Sequence, residues 1–208
     1  MRSAFRRYEP FRSSAPSGGF QLIEALVVLA LLGLIAVLGM PALLRTSHRI
    51  RLCLAANEIA SSLESARLYA AAHSANVAVR FGEHGDKYVF SLFADGDGDG
   101  VRNEDIRSGD DPQIGFWRNL DHMGARIRFG FPEGLTPTDP SNPYARLDHL
   151  NDPIRFNRSD LASFSGRGTA TPGSVYLTDG FHVTVVRVLG RTGRIRILDY
   201  DRADRRWH

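Results

Sequence analysis

Three stretches of this sequence place charged side chains where they could do chemistry. In "DGDGDGVRNEDIRSGDD" (Asp95–Asp111), Asp95, Asp97 and Asp99 alternate with glycines and lead into Gly100. Alternate carboxylates in a tight loop can face one calcium ion, as in the first half of an EF-hand loop. The closing bidentate glutamate would fall at Ile106, so Glu104, Asp105 or Asp110 would have to stand in for it. A solvated Asp-Gly turn accounts for the same residues without a metal. In "RVLGRTGRIRI", Arg187, Arg191, Arg194 and Arg196 surround one hairpin turn and could grip phosphates, with binding that weakens steeply in salt. Strand alternation explains them without a ligand, with Val186, Val188, Ile195 and Ile197 inward and the arginines in water. The third is Glu24, a lone carboxylate at the head of an apolar run: every residue from Ala25 to Met40 is apolar or glycine.

The residue types of an enzyme are present, but their contexts are not. Serines, histidines and aspartates occur, yet none stands in a nucleophile elbow, a zincin helix or a phosphate loop. The seven histidines are scattered, and none has ligand spacing to another histidine or to cysteine. Cys53 is the only cysteine, which rules out an internal disulfide and reads as a small packing residue. No catalysis is expected, and no cofactor beyond a calcium ion at the acidic loop.

The chain of 208 residues has room for one globular domain and an attachment, and its 43% hydrophobic content suffices for a core. The formal net charge is only +3, and Lys87 is the only lysine among the basic residues. Arginine suits phosphate contacts, although a bias toward arginine codons gives the same composition.

Extended from Phe20 to Leu44, the apolar run is long enough as a helix for a hydrocarbon layer of roughly 30 Å. It is too long for the apolar part of an ordinary signal peptide, and no small-x-small cleavage site follows it. The polar leader carries Arg2, Arg6, Arg7 and Arg12, which favours a cytoplasmic start, while Arg45, Arg49 and Arg51 beyond the run weaken that argument. A single-pass anchor is the plain interpretation. Gly18-Gly19, Glu24 and Pro41 count against a simple one. The glycines let a backbone enter a protease site. The carboxylate in an apolar setting needs a partner. The proline removes a helix hydrogen bond and permits a kink.

The stretch Gly19-Phe20-Gln21-Leu22-Ile23-Glu24 resembles the processing site of type IV pilins and of the pseudopilins of type II secretion. The resemblance implies that a prepilin peptidase cuts between Gly19 and Phe20 and that Phe20 is then N-methylated. Glu24 becomes the fifth residue of the mature chain and Pro41 the twenty-second, where the family has them. Glu24 then acquires a partner. Cutting creates a positive amine on Phe20, and in a helical stack the amine of one chain can approach the glutamate of its neighbour. Two costly charges become one pair, which fixes axial register. Glu24→Ala is expected to leave membrane insertion intact and to impair assembly.

Beyond Pro41, Leu52, Ala56, Ile59, Leu63, Ala66 and Ala70 recur at spacings of three and four, with polar residues between them. This predicts a helix from about Gln21 to His73, about 80 Å long. Val77–Phe81 and Tyr88–Ala94 read as a hairpin, and Arg126–Phe129 as a strand. Ser174–Thr178, His182–Leu189 and Arg194–Tyr200 form a second β group, with turn signals at Asp179-Gly180 and Gly190–Gly193. The segments Arg51–Val79, Thr171–Gly180 and Thr192–Ile197 resemble the H-type branch, shared by GspH pseudopilins and FimT minor pilins. The middle, about Gly115 to Gly168, resembles nothing identifiable.

The resemblance implies an α+β, pilin-like fold: a long N-terminal helix, its first half transmembrane, packed on a C-terminal antiparallel β-sheet head. The expected divisions are a cleaved leader 1–19, a transmembrane and filament-core helix 20–44, an amphipathic half-helix 45–76, a β-rich head 77–200 and a frayed polar tail 201–208. The expected function is a minor pseudopilin of a type II secretion system, a structural subunit. The alternative is a FimT-like minor pilin of a type IV pilus that binds DNA through the arginine hairpin. Expected partners are other pilins or pseudopilins, the prepilin peptidase, the inner membrane, a secreted substrate and, on the alternative, DNA. The expected location is the bacterial inner membrane, single-pass, with the head in the periplasm.

Overall fold

The computed structural model describes the backbone of residues 18–208 apart from Asp86, and the side chains of these residues apart from 18–21 and 39–45. The expected leader therefore lies, for residues 1–17, outside the described residues. The chain divides into two units at the Leu44–Arg45 junction. Helix α1, Gly18–His73, contributes to both.

In the first unit α1 carries leucine, valine, isoleucine and alanine on every side. The large apolar side chains between Leu22 and Leu38 stand exposed, from Val28 at 49% to Val37 at 72%.

In the second unit α1 is one-sided. Leu52, Ala55, Ala56, Ile59, Leu63, Ala66 and Ala70 are buried, and they recur every three or four residues. Four of these seven are alanines, which lets the helix lie close to the strands beneath. The stripe packs on Val77, Val79, Phe90, Phe156, Phe164, Val175, Leu177, Val186 and Val188 in one core cluster. The helix ends in a left-handed turn at Ser74, φ 51°, with the Ala75 N–H donating to the Ala70 carbonyl. That is the Schellman arrangement, which satisfies a carbonyl of the last turn. Gly166 lies against this turn, and a Cβ there would meet the Ser74 backbone at 2.6 Å.

The regular structure in the rest of the unit is almost entirely antiparallel strand. Strands β1 (Val77–His84) and β2 (Lys87–Ala94) form a hairpin, and β7 (Leu161–Phe164) pairs with the other edge of β1. The larger sheet uses β3 (Arg128–Phe129), β6 (Ile154–Arg155), β8 (Gly173–Thr178), β9 (Val183–Leu189), β10 (Arg194–Asp201) and β11 (Arg206–Trp207). Its order is β11-β10-β9-β8-β3, with β6 also on β8. Strands β4 (Thr138–Asp139) and β5 (Asn142–Arg146) make a separate arm. The centre of the larger sheet is buried on both faces. Val175, Leu177, Val186 and Val188 face α1, while Tyr176, Val183 and Val185 join Phe131, Leu147 and Tyr200 in a second cluster.

Two expectations are corrected here. The pilin-like architecture, with a half-transmembrane helix packed on one antiparallel head sheet, is not the one observed. Among the described residues most elements are antiparallel strands, divided among three sheets, with few helices. The placement as a single-pass inner-membrane protein with a periplasmic head also falls, because no helix among the described residues is long and apolar enough to cross a membrane. Of the run Phe20–Leu44, the described side chains are those of residues 22–38, which make about 25 Å of helix against a hydrocarbon layer of roughly 30 Å.

The C-terminal segment also differs from a frayed tail. It returns as β11, with Tyr200 opposite Trp207 and Asp201 opposite Arg206. The Trp207 ring packs on Tyr200 and Tyr176, and its indole N–H donates to the Thr138 carbonyl at 2.7 Å. One aromatic residue near the end of a polar segment is enough to dock it.

Candidate functional sites

The acidic loop leaves β2 and folds back on itself. Asp95 acts as its hub: Oδ1 accepts the Gly98 N–H at 2.8 Å, and Oδ2 accepts the Gly100 N–H at 3.0 Å and the Asn76 side-chain amide at 2.7 Å. Burial alone would raise the Asp95 pKa, but these donors outweigh it and hold the carboxyl below the usual carboxylate range. Gly98 and Gly100 take φ of 91° and 98°, where a side chain would be strained. Asp97 Oδ1 accepts the Asp99 N–H at 3.2 Å, and Arg102 pairs with Asp99. The structure thus brings Asp95, Asp97 and Asp99 together, with one carboxylate oxygen of each within 4.8 Å of the others.

Two residues complete this loop. Asp111 is buried, and its two oxygens accept the Gly96 N–H at 3.1 Å and the Arg102 N–H at 2.9 Å. It locks the two ends of the loop together. Asp105 lies on a short helix, α2 (Asn103–Ser108), and its Oδ2 is buried without a hydrogen-bond partner. Desolvation, followed by the nearby charges of Asp111 and Asp97, raises the Asp105 pKa. Asp95, Asp97 and Asp99 are hard oxygen donors of the kind calcium takes, and a cation held by them would also ease the repulsion that Asp97 exerts on Asp105. Ile106, the position where an EF-hand glutamate would close the site, instead packs on Ala78, Phe93, Val101 and Leu161. The sequence marked Asp105 as a substitute ligand, but the closing role of Asp111 depends on a loop contact no local pattern shows.

The arginine hairpin joins β9 to β10. Arg187 and Arg196 are direct cross-strand partners, so their side chains share the face turned away from α1. Arg194 lies two residues from Arg196 on the same face, and Arg191 stands in the turn. None of the four has a carboxylate partner among the described residues. Val186 and Val188 are buried opposite them, and Ile195 and Ile197 are half-buried.

The turn between β8 and β9 pairs Asp179, expected only as part of a turn, with His182, expected as the first residue of a strand. The Asp179 side chain is buried; Oδ1 accepts the N–H groups of Phe181 and His182, and Oδ2 lies 2.9 Å from His182 Nδ1. Burial would raise the Asp179 pKa, but these bonds reverse the direction and hold it below the usual range. Such a pair can orient an imidazole for proton transfer. Among the described residues no hydroxyl or thiol hydrogen-bonds the His182 ring.

The assembly residues lie on α1. Gly19, Phe20, Glu24 and Pro41 all have helical backbone, and Glu24 is exposed among exposed apolar side chains. The side chains of Phe20 and Pro41 lie outside the described residues, as does any contact they make.

A cavity of about 950 Å³ lies between the β4–β5 arm and the C-terminal hairpin. Tyr144, 97% exposed, stands on one wall with Arg146, and Arg205, Arg206 and Trp207 form the other. The Thr138 hydroxyl donates to the Arg205 carbonyl and ties the walls together. Compared with family models, curated proteins and solved structures, the chain matches none.

Proposed function

We propose that this chain is a structural subunit of a filament, a minor pseudopilin of a type II secretion system, with no chemistry of its own. The observation that carries the reading is α1 in its first unit. Its apolar side chains are exposed on all sides, with the Glu24 carboxylate among them. Apolar exposure on this scale calls for a covering partner. Helices of neighbouring subunits supply that cover, and the amine of a cut Phe20 supplies the counter-charge for Glu24. The processing motif around Gly19 and Phe20 supports the same reading. Mass spectrometry of the mature protein tests it. A chain that starts at N-methylated Phe20 is expected; an intact leader overturns the proposal.

The runner-up is a FimT-like minor pilin that binds DNA. The pairing of Arg187 with Arg196, beside Arg194 and without carboxylate partners among the described residues, favours it. Retardation of duplex DNA that weakens strongly with salt would support this reading, and no retardation at low salt would remove it. On either reading the acidic loop takes calcium, supported by the unpartnered Asp105 oxygen beside the Asp95, Asp97 and Asp99 group.

A further inference from the structure

The outer edge of β10 is incompletely paired. Strand β11 covers only its end, at Tyr200 and Asp201, and the N–H and C=O of Asp199 exchange bonds with His208 at 2.9 and 3.0 Å. In an antiparallel ladder the outward-facing residues alternate, so Ile195 and Ile197 point their backbone groups the same way as Asp199. Among the described residues no strand meets them on that side. Below this edge lies a groove of about 390 Å³ between β10 and α1, lined by Asn57, Ala60, Ser61, Glu64, Ile195 and Ile197. Above it stand Arg194 and Arg196, both exposed, with Arg187 beside Arg196.

We propose that this edge captures an extended peptide segment from a partner protein, added as a further strand. An incoming strand would sit about 4.8 Å from β10, with its side chains alternating between the two faces. Those directed down meet Ile195, Ile197 and Ala60, which suit residues of valine size. Those directed up meet Arg194 and Arg196, which select carboxylates. The fitting partner therefore carries a short stretch in which small apolar and acidic residues alternate. A peptide rather than a nucleic acid is favoured because unpaired backbone groups run alongside the arginines, over a groove that sets Ile195, Ile197 and Ala60 beside Asn57, Ser61 and the Glu64 carboxylate. The proposal does not use the part of α1 in the first unit, up to Leu44, so it stands or falls separately from the filament reading.

The test uses the full chain and the peptide Val-Glu-Val-Glu-Val-Glu-Val, acetylated and amidated. Two further versions are N-methylated, one at every valine and one at every glutamate. Binding of the parent peptide is expected to slow amide exchange at Ile195 and Ile197. One N-methylated version should bind at least tenfold more weakly, as should the parent peptide to the Arg194→Glu, Arg196→Glu double variant. Equal binding of all three peptides would reduce the site to charge attraction and overturn strand addition. Unchanged exchange at Ile195 and Ile197 would overturn it too, as would duplex DNA binding that the parent peptide cannot displace.

Discussion

The buried carboxylate of Asp179 holds His182 by both its backbone and its ring, at 2.7 Å to the N–H and 2.9 Å to Nδ1. This closes the turn between two strands buried on both faces, so its loss reaches the core. The pKa of Asp179 in the folded state lies below its ordinary value. Its contribution is therefore complete above the unfolded pKa, about 3.9, and is lost as pH falls through the lower folded value. Asp179→Asn is expected to cost about 1–3 kcal/mol at neutral pH. It should also flatten the loss of stability below about pH 4. Thermal melts of both proteins at pH 7 and pH 3 check this; equal acid sensitivity would assign the acid response elsewhere.

The acidic loop gives a second prediction. Asp111→Ala strands the Gly96 and Arg102 N–H groups, which the native carboxylate satisfies. A stability loss of about 1–3 kcal/mol is expected. Isothermal titration of the wild type with calcium should give heat in the millimolar range, typical of weak exposed sites. Asp97→Asn should reduce that heat without changing the melting temperature in calcium-free buffer, because Asp97 is exposed and the backbone group it holds is the exposed Asp99 N–H. No heat from the wild type would leave the loop as a turn alone.

What the sequence disclosed, and what it hid, follows from the range of each interaction. The apolar spacing from Leu52 to Ala70 and the alternation of Val186, Arg187 and Val188 are local signals; the apolar residues are buried accordingly, and Arg187 is half-buried. The three clustered aspartates of the loop were legible because a two-residue period brings them together. Asp111 was not, because its partners lie 9 and 15 residues away. The run Arg126–Phe129 did signal β3, but β4 to β6, strands of two to five residues, are too short for any period to show. The apolar run from Phe20 suggested a membrane span from composition, yet the described helix does not provide one.

Trp207 ties the C-terminal strand to the rest of the unit. Its ring centroid lies 5.0 Å from that of Tyr200 and 6.0 Å from that of Tyr176. Trp207→Ala removes this packing and the bond to the Thr138 carbonyl. Because the side chain is only partly buried, about 1–3 kcal/mol is expected rather than the 3–5 of a fully buried aromatic. Proteolysis should then shorten the chain beyond Tyr200. A variant as stable and as protease-resistant as wild type would show that the β10–β11 pairing alone holds the segment.

Glu24 offers the decisive prediction for the filament reading. It is exposed on α1, in the unit separate from the one that contains the sheets. Glu24→Ala should therefore leave the thermal melt of the β-rich unit unchanged. If Glu24 pairs with the amine of a neighbouring Phe20, the variant should still be cut and methylated but should fall out of filaments at least tenfold. Glu24→Gln, which keeps the shape and a hydrogen-bonding carbonyl, should rescue only in part, because the amine would be left without a counter-charge. Cleavage is measured by mass spectrometry and incorporation by the amount of subunit in sheared filaments. Incorporation of the alanine variant at the wild-type level would remove the charge pair from the account of assembly, whatever the fate of the leader.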